Sequence, residues 1–305
     1  MILRSLFLTL SRSDRLRHWM VHFGPARRMA RRFIAGETLD EAVAAARQLQ
    51  AQGILTAFDH LGENVATPQD AERAVCEYQA LLQRIAAEGL PATISVKLTH
   101  IGLDFGEEFC CARLRSIAQT AQSLGNTVEV DIEGSAYTQA TLAVFHCLLD
   151  DYQNLRLALQ AYLFRTEADL ARLKPLRPKI RLVKGAYLEP ADVAFPSKSD
   201  VDANFVKLMR ILFADGFTPA VGSHDERMID AARALAKEFS RSSDSWEVQM
   251  LHGIRRDLQE QLVRDGYRMR VYVTFGTEWV PYFMRRLAER PANLGFVLKS
   301  LLKGR

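Results

Sequence analysis

From residue 53 onward the chain alternates two hydrophobic patterns. Short runs rich in β-branched and aliphatic residues are each followed by a longer stretch whose apolar positions recur at helical spacing. The runs are Ile54–Asp59, Thr93–Leu98, Thr127–Ile132, Leu155–Gln160, Ile180–Lys184, Thr218–Ser223, Trp246–Met250 and Met269–Val273. Between them lie helical stretches at Pro68–Ala87, Glu107–Leu124, Tyr137–Leu149, Glu167–Leu173, Asp202–Asp215, Asp225–Phe239 and Asp257–Asp265. Strict alternation of strand and helix predicts parallel pairing through right-handed crossovers. Eight such units in about 250 residues predict a (β/α)8 barrel of the TIM type, an α/β fold. An open doubly wound sheet is the alternative. Before residue 53 the pattern is helical throughout. Leu3, Leu6, Phe7 and Leu10 share a face, and Gly24-Pro25 separates a second, basic helix. Thr38, with Glu41 three residues on, forms a capping box for a third helix, with Ala42, Val43 and Ala46 on one face. No repeat, linker or low-complexity segment interrupts the chain. The expected organisation is one domain over residues 1–305, with a helical extension over 1–52 and a barrel with C-terminal helices over 53–305.

The ends of the strands change the picture from architecture to chemistry. In order they carry Asp59, His60 and Glu63; Lys97; Asp131 and Glu133; Gln160; Lys184 and Tyr187; Ser223 and His224; Gln249 and His252; and Tyr272. Barrel enzymes build their sites at this face. One polar strand end is ordinary, but a ring of ionisable groups marks a site. The stretch Ile180–Tyr187 is the densest part. Arg181 and Lys184 are costly inside a sheet unless an anion meets them, Gly185 admits a close approach, and Tyr187 offers a flat face with a polar tip. An anionic, flat, extended ligand suits all four; a strand end with solvated charges is the plainer reading. The last helix, Glu278–Arg290, tolerates Pro281 in its first turn. It sets Arg285 and Arg286 within one turn of Glu289, either a surface ladder or a twin-guanidinium clamp for a carboxylate.

Composition limits the alternatives. The 305 residues are 48% hydrophobic and 25% charged, the make-up of a water-soluble globular chain. A net charge of +4 is too small to argue for nucleic acid. It is uneven, however: residues 1–32 carry eight arginines against Asp14 alone. That start reads as an organellar presequence or, more simply, as a basic helix of the mature chain. It lacks a secretory cleavage site, and no apolar run is long enough to span a membrane. Cys76, Cys110, Cys111 and Cys147 form no C-x-x-C pair and read as reduced thiols of a cytosolic protein. Rossmann, P-loop, serine-hydrolase-elbow and zincin motifs are absent. His18 and His22 stand four apart on a helix but in a cationic segment without a third ligand, so no metal is expected. Two further enzyme readings remain at this point. Lys97 or Lys184 as a Schiff-base lysine would make a class I aldolase, and Asp59, His60, Glu63 and His224 around a divalent metal would make a hydrolase. A non-enzyme reading makes the chain a membrane-surface adaptor through its basic start.

Eight blocks of sequence resemble proline dehydrogenase and stand in its order over roughly residues 54–300. They are Phe-Asp-His-Leu-Gly-Glu (58–63), Ser-Val-Lys-Leu-Thr (95–99), Val-Asp-Ile-Glu (130–133), Leu-Gln-Ala-Tyr-Leu-Phe-Arg-Thr (159–166), Arg-Leu-Val-Lys-Gly-Ala-Tyr (181–187), Ser-His-Asp (223–225), Glu-Val-Gln-Met-Leu-His-Gly (247–253) and Tyr-Phe-Met-Arg-Arg-Leu-Ala-Glu-Arg-Pro-Ala-Asn (282–293). The N-terminal helices look like those of the short, monofunctional bacterial members. The resemblance implies a distorted barrel holding FAD non-covalently. It implies oxidation of L-proline to Δ1-pyrroline-5-carboxylate, the first step of proline catabolism to glutamate, by hydride transfer to flavin N5. Electrons would pass to a membrane quinone. The resemblance also implies pyrroline-5-carboxylate dehydrogenase as a candidate partner and a cytoplasmic location with peripheral contact at the inner face of the cell membrane.

The same resemblance implies roles. Asp131, Arg181 and Lys97 would be catalytic, with Arg181 beside the flavin N5 edge and Asp131 beside the isoalloxazine. Lys97, Arg285 and Arg286 would clamp the substrate carboxylate, and Tyr187, Leu251, Tyr272 and Tyr282 would wall the pocket. Asp131, Ile132, Gln160, Arg181, Lys184, Gly185, Ala186, Ser223, His224, Gln249 and Glu289 would hold the cofactor. Glu63 with Arg285 would gate the mouth. The chain departs from the family pattern at Ser223 (threonine expected), His60 (methionine or leucine), Gly134 (a larger polar residue) and Leu188 (tryptophan in some members).

Overall fold

The computed structural model describes residues 30–289 together with Met20, Phe23 and Gly24, and side chains as far as Met284. The helices expected near the start, with His18 and His22, otherwise lie outside the described residues. Helix α1 (Leu39–Gln50) starts where the capping box was expected: Thr38 Oγ1 accepts from Glu41 N at 3.3 Å, and Glu41 Oε2 accepts from Thr38 N at 3.2 Å. Ala42, Val43 and Ala46 are its buried face.

Eight strands follow: β1 (Leu55–His60), β2 (Ala92–Val96), β3 (Val128–Val130), β4 (Leu155–Gln160), β5 (Lys179–Val183), β6 (Thr218–Gly222), β7 (Glu247–Leu251) and β8 (Met269–Phe275). Each pairs in parallel with the next, and β8 pairs with β1, closing a barrel. The interleaved helices are α2 (Pro68–Ala87), α3 (Glu107–Ser123), α4 (Ser135–Leu149), α5 (Thr166–Leu173), α6 (Lys198–Ala214), α7 (Glu226–Glu238), α8 (Arg256–Arg264) and the closing α9 (Trp279–Glu289). The closed order excludes the open doubly wound sheet. Helix α6 begins four residues before its expected start because Ser197 caps it, its Oγ accepting from Asp200 N at 3.1 Å.

Alternation along the strands decides where the core lies. Phe58, Ile94, Val96, Val128, Val130, Leu157, Leu182, Val248, Val271 and Val273 pack outward into one cluster with the helices. The positions between them face inward and are largely polar. Register proves this: Arg156 of β4 bonds Glu247 of β7, and Tyr272 of β8 bonds Ser95 of β2. Strands that are not neighbours reach each other only through the barrel interior. A second, smaller cluster joins Phe33 and Ile34 to Trp279, Tyr282 and Phe283 of α9, with the Phe33 and Phe283 rings 6.0 Å apart.

The cysteines differ from expectation. Cys111 on α3 and Cys147 on α4 form a disulfide, while Cys76 and Cys110 are free. The sequence carries no trace of the pair because its residues are 36 apart and belong to consecutive helices. Only the crossovers around β3 bring the two helices side by side.

Candidate active site

Inside the barrel the charges form a column. At its foot Glu129 and Glu247 receive Arg156, Arg270, Thr93 and Gln249. These residues, except Gln249, were not among those the sequence singled out. Their signal was a charge at every second position of otherwise apolar strands, as in Val-Glu-Val (128–130) and Leu-Arg-Leu (155–157). Above the foot, Arg181 of β5 spans two acids. It pairs with Asp131 and lies 3.5 Å from Glu129. Its guanidinium carbon sits 4.6 Å from the centre of the Tyr272 ring. At the upper level Lys97 Nζ donates to Asp59 Oδ1 at 2.6 Å and to Asp131 Oδ2 at 3.1 Å. Buried charges persist where each is paired and hydrogen-bonded. Burial would lower the Lys97 pKa, but the Asp59 and Asp131 carboxylates outweigh it and hold the ammonium well above its ordinary value. Burial acts on Asp131 in the opposite sense, and Arg181 and Lys97 overcome it, keeping that carboxyl below its ordinary value.

Over this column opens a cavity of about 440 Å³. It is bounded by Lys97, Asp131, Ile132, Gln160 and Arg181 on the β2–β5 side. Lys184, Gly185, Ala186 and Tyr187 of the loop after β5 follow. Ser223, His224, Gln249, Leu251, Tyr272 and Tyr282 line it further, with Asp59 and Asp225. The structure therefore gathers most of the strand-end residues selected from the sequence around one chamber; His60 and Glu133 line an adjoining cleft instead, and His252 lines neither. Glu63 stands in the same cleft, of about 1200 Å³, which shares Ala186 and Tyr187 with the cavity. The side chains of Arg285, Arg286 and Glu289 lie outside the described residues. His60 lines the cleft, whereas Asp59 and His224 line the cavity, so the four residues of the metal-hydrolase reading do not converge. Among the described residues no group of three or more acidic, histidine or cysteine side chains could hold a metal.

Local sequence explains the shape. Gly185 has φ +116°, and a Cβ there would meet the Tyr162 ring at 2.2 Å, so the loop can lie flat on that ring only with glycine. At Gly222 a Cβ would meet Val183 Cγ1 at 2.7 Å. The far end is anchored by Lys184, which bridges Asp202 and Asp225, the latter at 2.9 Å. His224 Nε2 accepts from Leu251 N at 2.9 Å, fixing that ring as the unprotonated acceptor at Nε2.

Several buried polar atoms of residues that line the cavity have no hydrogen-bond partner: Gln160 Oε1, Arg181 Nε and Nη1 (the latter 3.5 Å from Glu129 Oε2), and Gln249 Oε1. Buried polar groups are normally satisfied. A set mixing donors and acceptors suits a flat heteroaromatic with both kinds of edge, and a flavin has both. The residues present fit that group.

Glu133 differs from the other acids of β3 and its loop. Its oxygens accept from the Thr99 hydroxyl at 2.7 Å and the Thr99 amide at 3.2 Å, and it lines the cleft with Glu63. Burial pushes its carboxyl up to about 7, against those bonds and with help from Glu63. The folded state thus keeps a proton that the unfolded chain releases near 4.5. Stability from this group is complete below that value and is lost as pH rises through about 7. Glu133→Gln is expected to flatten the fall of Tm across this window, and a slope equal to that of the parent protein would show an unshifted carboxyl.

Compared with known proteins, residues 42–299 match the family model described as proline dehydrogenase. The chain belongs to the proline dehydrogenase family. It is an oxidoreductase, as its relatives' names also indicate. Proline dehydrogenase 1 of Bacillus subtilis (strain 168) is 40% identical over 302 residues, covering 99% of this chain and 100% of its own. Proline dehydrogenase of Deinococcus radiodurans is 39% identical over 281 residues, covering 90% and 91%. Among solved structures, proline utilization A (PutA) from Bdellovibrio bacteriovorus superposes with a TM-score of 0.83 at 25% identity. The match covers 94% of this chain and 36% of that larger one.

Proposed function

We propose that the cavity binds FAD non-covalently and oxidises L-proline to Δ1-pyrroline-5-carboxylate. Bound there, the flavin supplies the hydride acceptor. Gln160, Arg181 and Gln249 would bond its polar edge, with Arg181 and Asp131 setting the electrostatics around the ring. Ile132, Lys184, Gly185, Ala186, Ser223, His224 and Glu289 hold the remainder. Lys97 meets the substrate carboxylate together with Arg285 and Arg286, while Tyr187, Leu251, Tyr272 and Tyr282 exclude water. Glu63 pairs with Arg285 to close the mouth during turnover. Electrons leave to a membrane quinone, and the cationic first 32 residues hold the enzyme against anionic lipid at the inner face of the cell membrane. The product passes to pyrroline-5-carboxylate dehydrogenase.

The observation that carries this reading is the convergence of Lys97, Asp131, Arg181 and Tyr272 beneath one cavity. It disfavours a Schiff-base role for Lys97, which requires a lysine that gives up its proton readily. The test is the visible spectrum of the purified protein. Flavin absorption that bleaches on anaerobic addition of L-proline is the expected result. A colourless protein that still processes a carbonyl substrate would overturn it.

A further inference from the structure

We propose that Asp59 is the anchor for the substrate's ring ammonium, and that Lys97 passes from Asp59 to the substrate carboxylate when the imino acid binds. The inference rests on the functional reading above and adds to it a recognition element for the nitrogen.

Three carboxylates line the cavity: Asp59, Asp131 and Asp225. Asp225 is held at the far end by Lys184 and by Arg227, each at 2.9 Å. Asp131 is held by Arg181, by Lys97 at 3.1 Å and by the Tyr272 hydroxyl at 3.3 Å. Asp59 is the least committed. Its Oδ1 takes Lys97 at 2.6 Å, and its Oδ2 accepts from Thr274 Oγ1 at 3.2 Å. Asp59 is 4% exposed and Lys97 7%.

If Lys97 turns to a substrate carboxylate, Asp131 keeps a guanidinium and a phenol. Asp59 keeps one neutral hydroxyl. A buried carboxylate stripped of its cation is costly. The zwitterion of an α-imino acid carries the missing cation one carbon away from the anion that drew Lys97 off. One internal ion pair is thus exchanged for two, with no change in net charge. A carboxylate without the neighbouring ammonium would leave Asp59 unpaired, so Asp59 also rejects such ligands.

The test uses flavin-loaded protein and two ligands of one shape: L-proline and its ring-oxygen analogue, tetrahydro-2-furoate. Asp59→Asn is expected to raise the KM for proline about 10–100-fold, the effect of losing a charge-assisted bond. The inhibition constant for the ring-oxygen analogue should fall, because the competing anion for Lys97 is gone. Thr274→Val, which removes only the hydroxyl on Asp59, should weaken proline binding less, again sparing the analogue. Parallel weakening of both ligands in both variants would overturn the anchor and leave Asp59 as a support for Lys97. Parent protein that is not bleached by L-proline would overturn the functional reading, and the anchor with it.

Discussion

Replacing Lys97 by methionine is expected to lower kcat/KM for L-proline by two orders of magnitude or more and to destabilise the fold. The methionine keeps most of the volume and removes the ammonium. Asp59 and Asp131, bonded to it at 2.6 and 3.1 Å, then face each other without the cation between them. Breaking a buried pair by removing one partner costs on the order of 3–5 kcal/mol, because the other charge remains. Asp131 retains Arg181, so most of that cost falls on Asp59. Losing the charge-assisted bond to substrate removes about 10–100-fold of binding, and misplacement of Asp131 adds to it. Stability and activity can be separated. Asp59→Asn placed in the Lys97→Met background should restore part of the lost Tm, since it removes the stranded charge. It should restore none of the kcat/KM. Unchanged thermal stability in Lys97→Met would mean that the lysine is not the keystone of this cluster.

The architecture could be read from the chain because hydrophobic period and length speak for themselves. Pro68–Ala87 agrees end for end with its helix, and Leu155–Gln160 with its strand. Of the residues read at the strand ends, Asp59, Lys97, Asp131, Gln160, Lys184, Tyr187, Ser223, His224, Gln249 and Tyr272 line one cavity, whereas His60, Glu63 and Glu133 line the adjoining cleft and His252 lines neither. The lower half of the barrel was hidden for a physical reason. Arg156 and Glu247 are 91 residues apart, and Gln249 and Glu129 are 120 apart. Each looks like a stray charge in a strand until the barrel closes. A strand pattern shows that a residue faces inward or outward, but not which strand stands opposite. Apolar residues on both faces would have been expected for strands buried on both sides. Here the inward face is largely polar, and its charges were the available sign of a polar interior.

Asp59 shows the other limit. It stood among the strand-end residues, yet nothing in Phe-Asp-His distinguishes a carboxylate that grips Lys97 from one that points to solvent. The bond from Thr274 makes the same point, since the two residues are 215 positions apart and become neighbours through the β1–β8 closure. Helix α9 is the converse case. The spacing of Arg285 and Arg286 leaves a surface ladder and a clamp open, the family resemblance implies the clamp, and their side chains lie outside the described residues.

Substrate choice is expected to rest on Tyr272. The residue lies on β8 between Val271 and Val273, which pack outward, so its ring projects into the barrel. Its hydroxyl lies 2.9 Å from Ser95 Oγ and 3.3 Å from Asp131 Oδ1, sharing its one hydrogen between them, and Arg181 covers its face. Bonds to β2 and β3 and a cation from β5 hold the ring from three sides, so it cannot swing away cheaply. In the proposed complex the ring packs against the far edge of proline, where a 4-hydroxyl group would sit. Admitting that oxygen means breaking the phenol's bonds or burying a hydroxyl without a partner. Either costs about 2–4 kcal/mol, which is about 30–1,000-fold in kcat/KM. L-Proline should therefore be strongly preferred over trans-4-hydroxy-L-proline. Tyr272→Ser removes the wall and should narrow the preference, chiefly by raising the KM for proline as its ring loses a packing partner. Tyr272→Phe keeps the wall and drops only the hydroxyl, so it should retain the preference while loosening Asp131. Steady-state kcat/KM for both imino acids in the three proteins is the measurement. Comparable rates on the two substrates in the parent protein, or a Tyr272→Ser variant with undiminished preference, would show that another group bounds the far side of the ring.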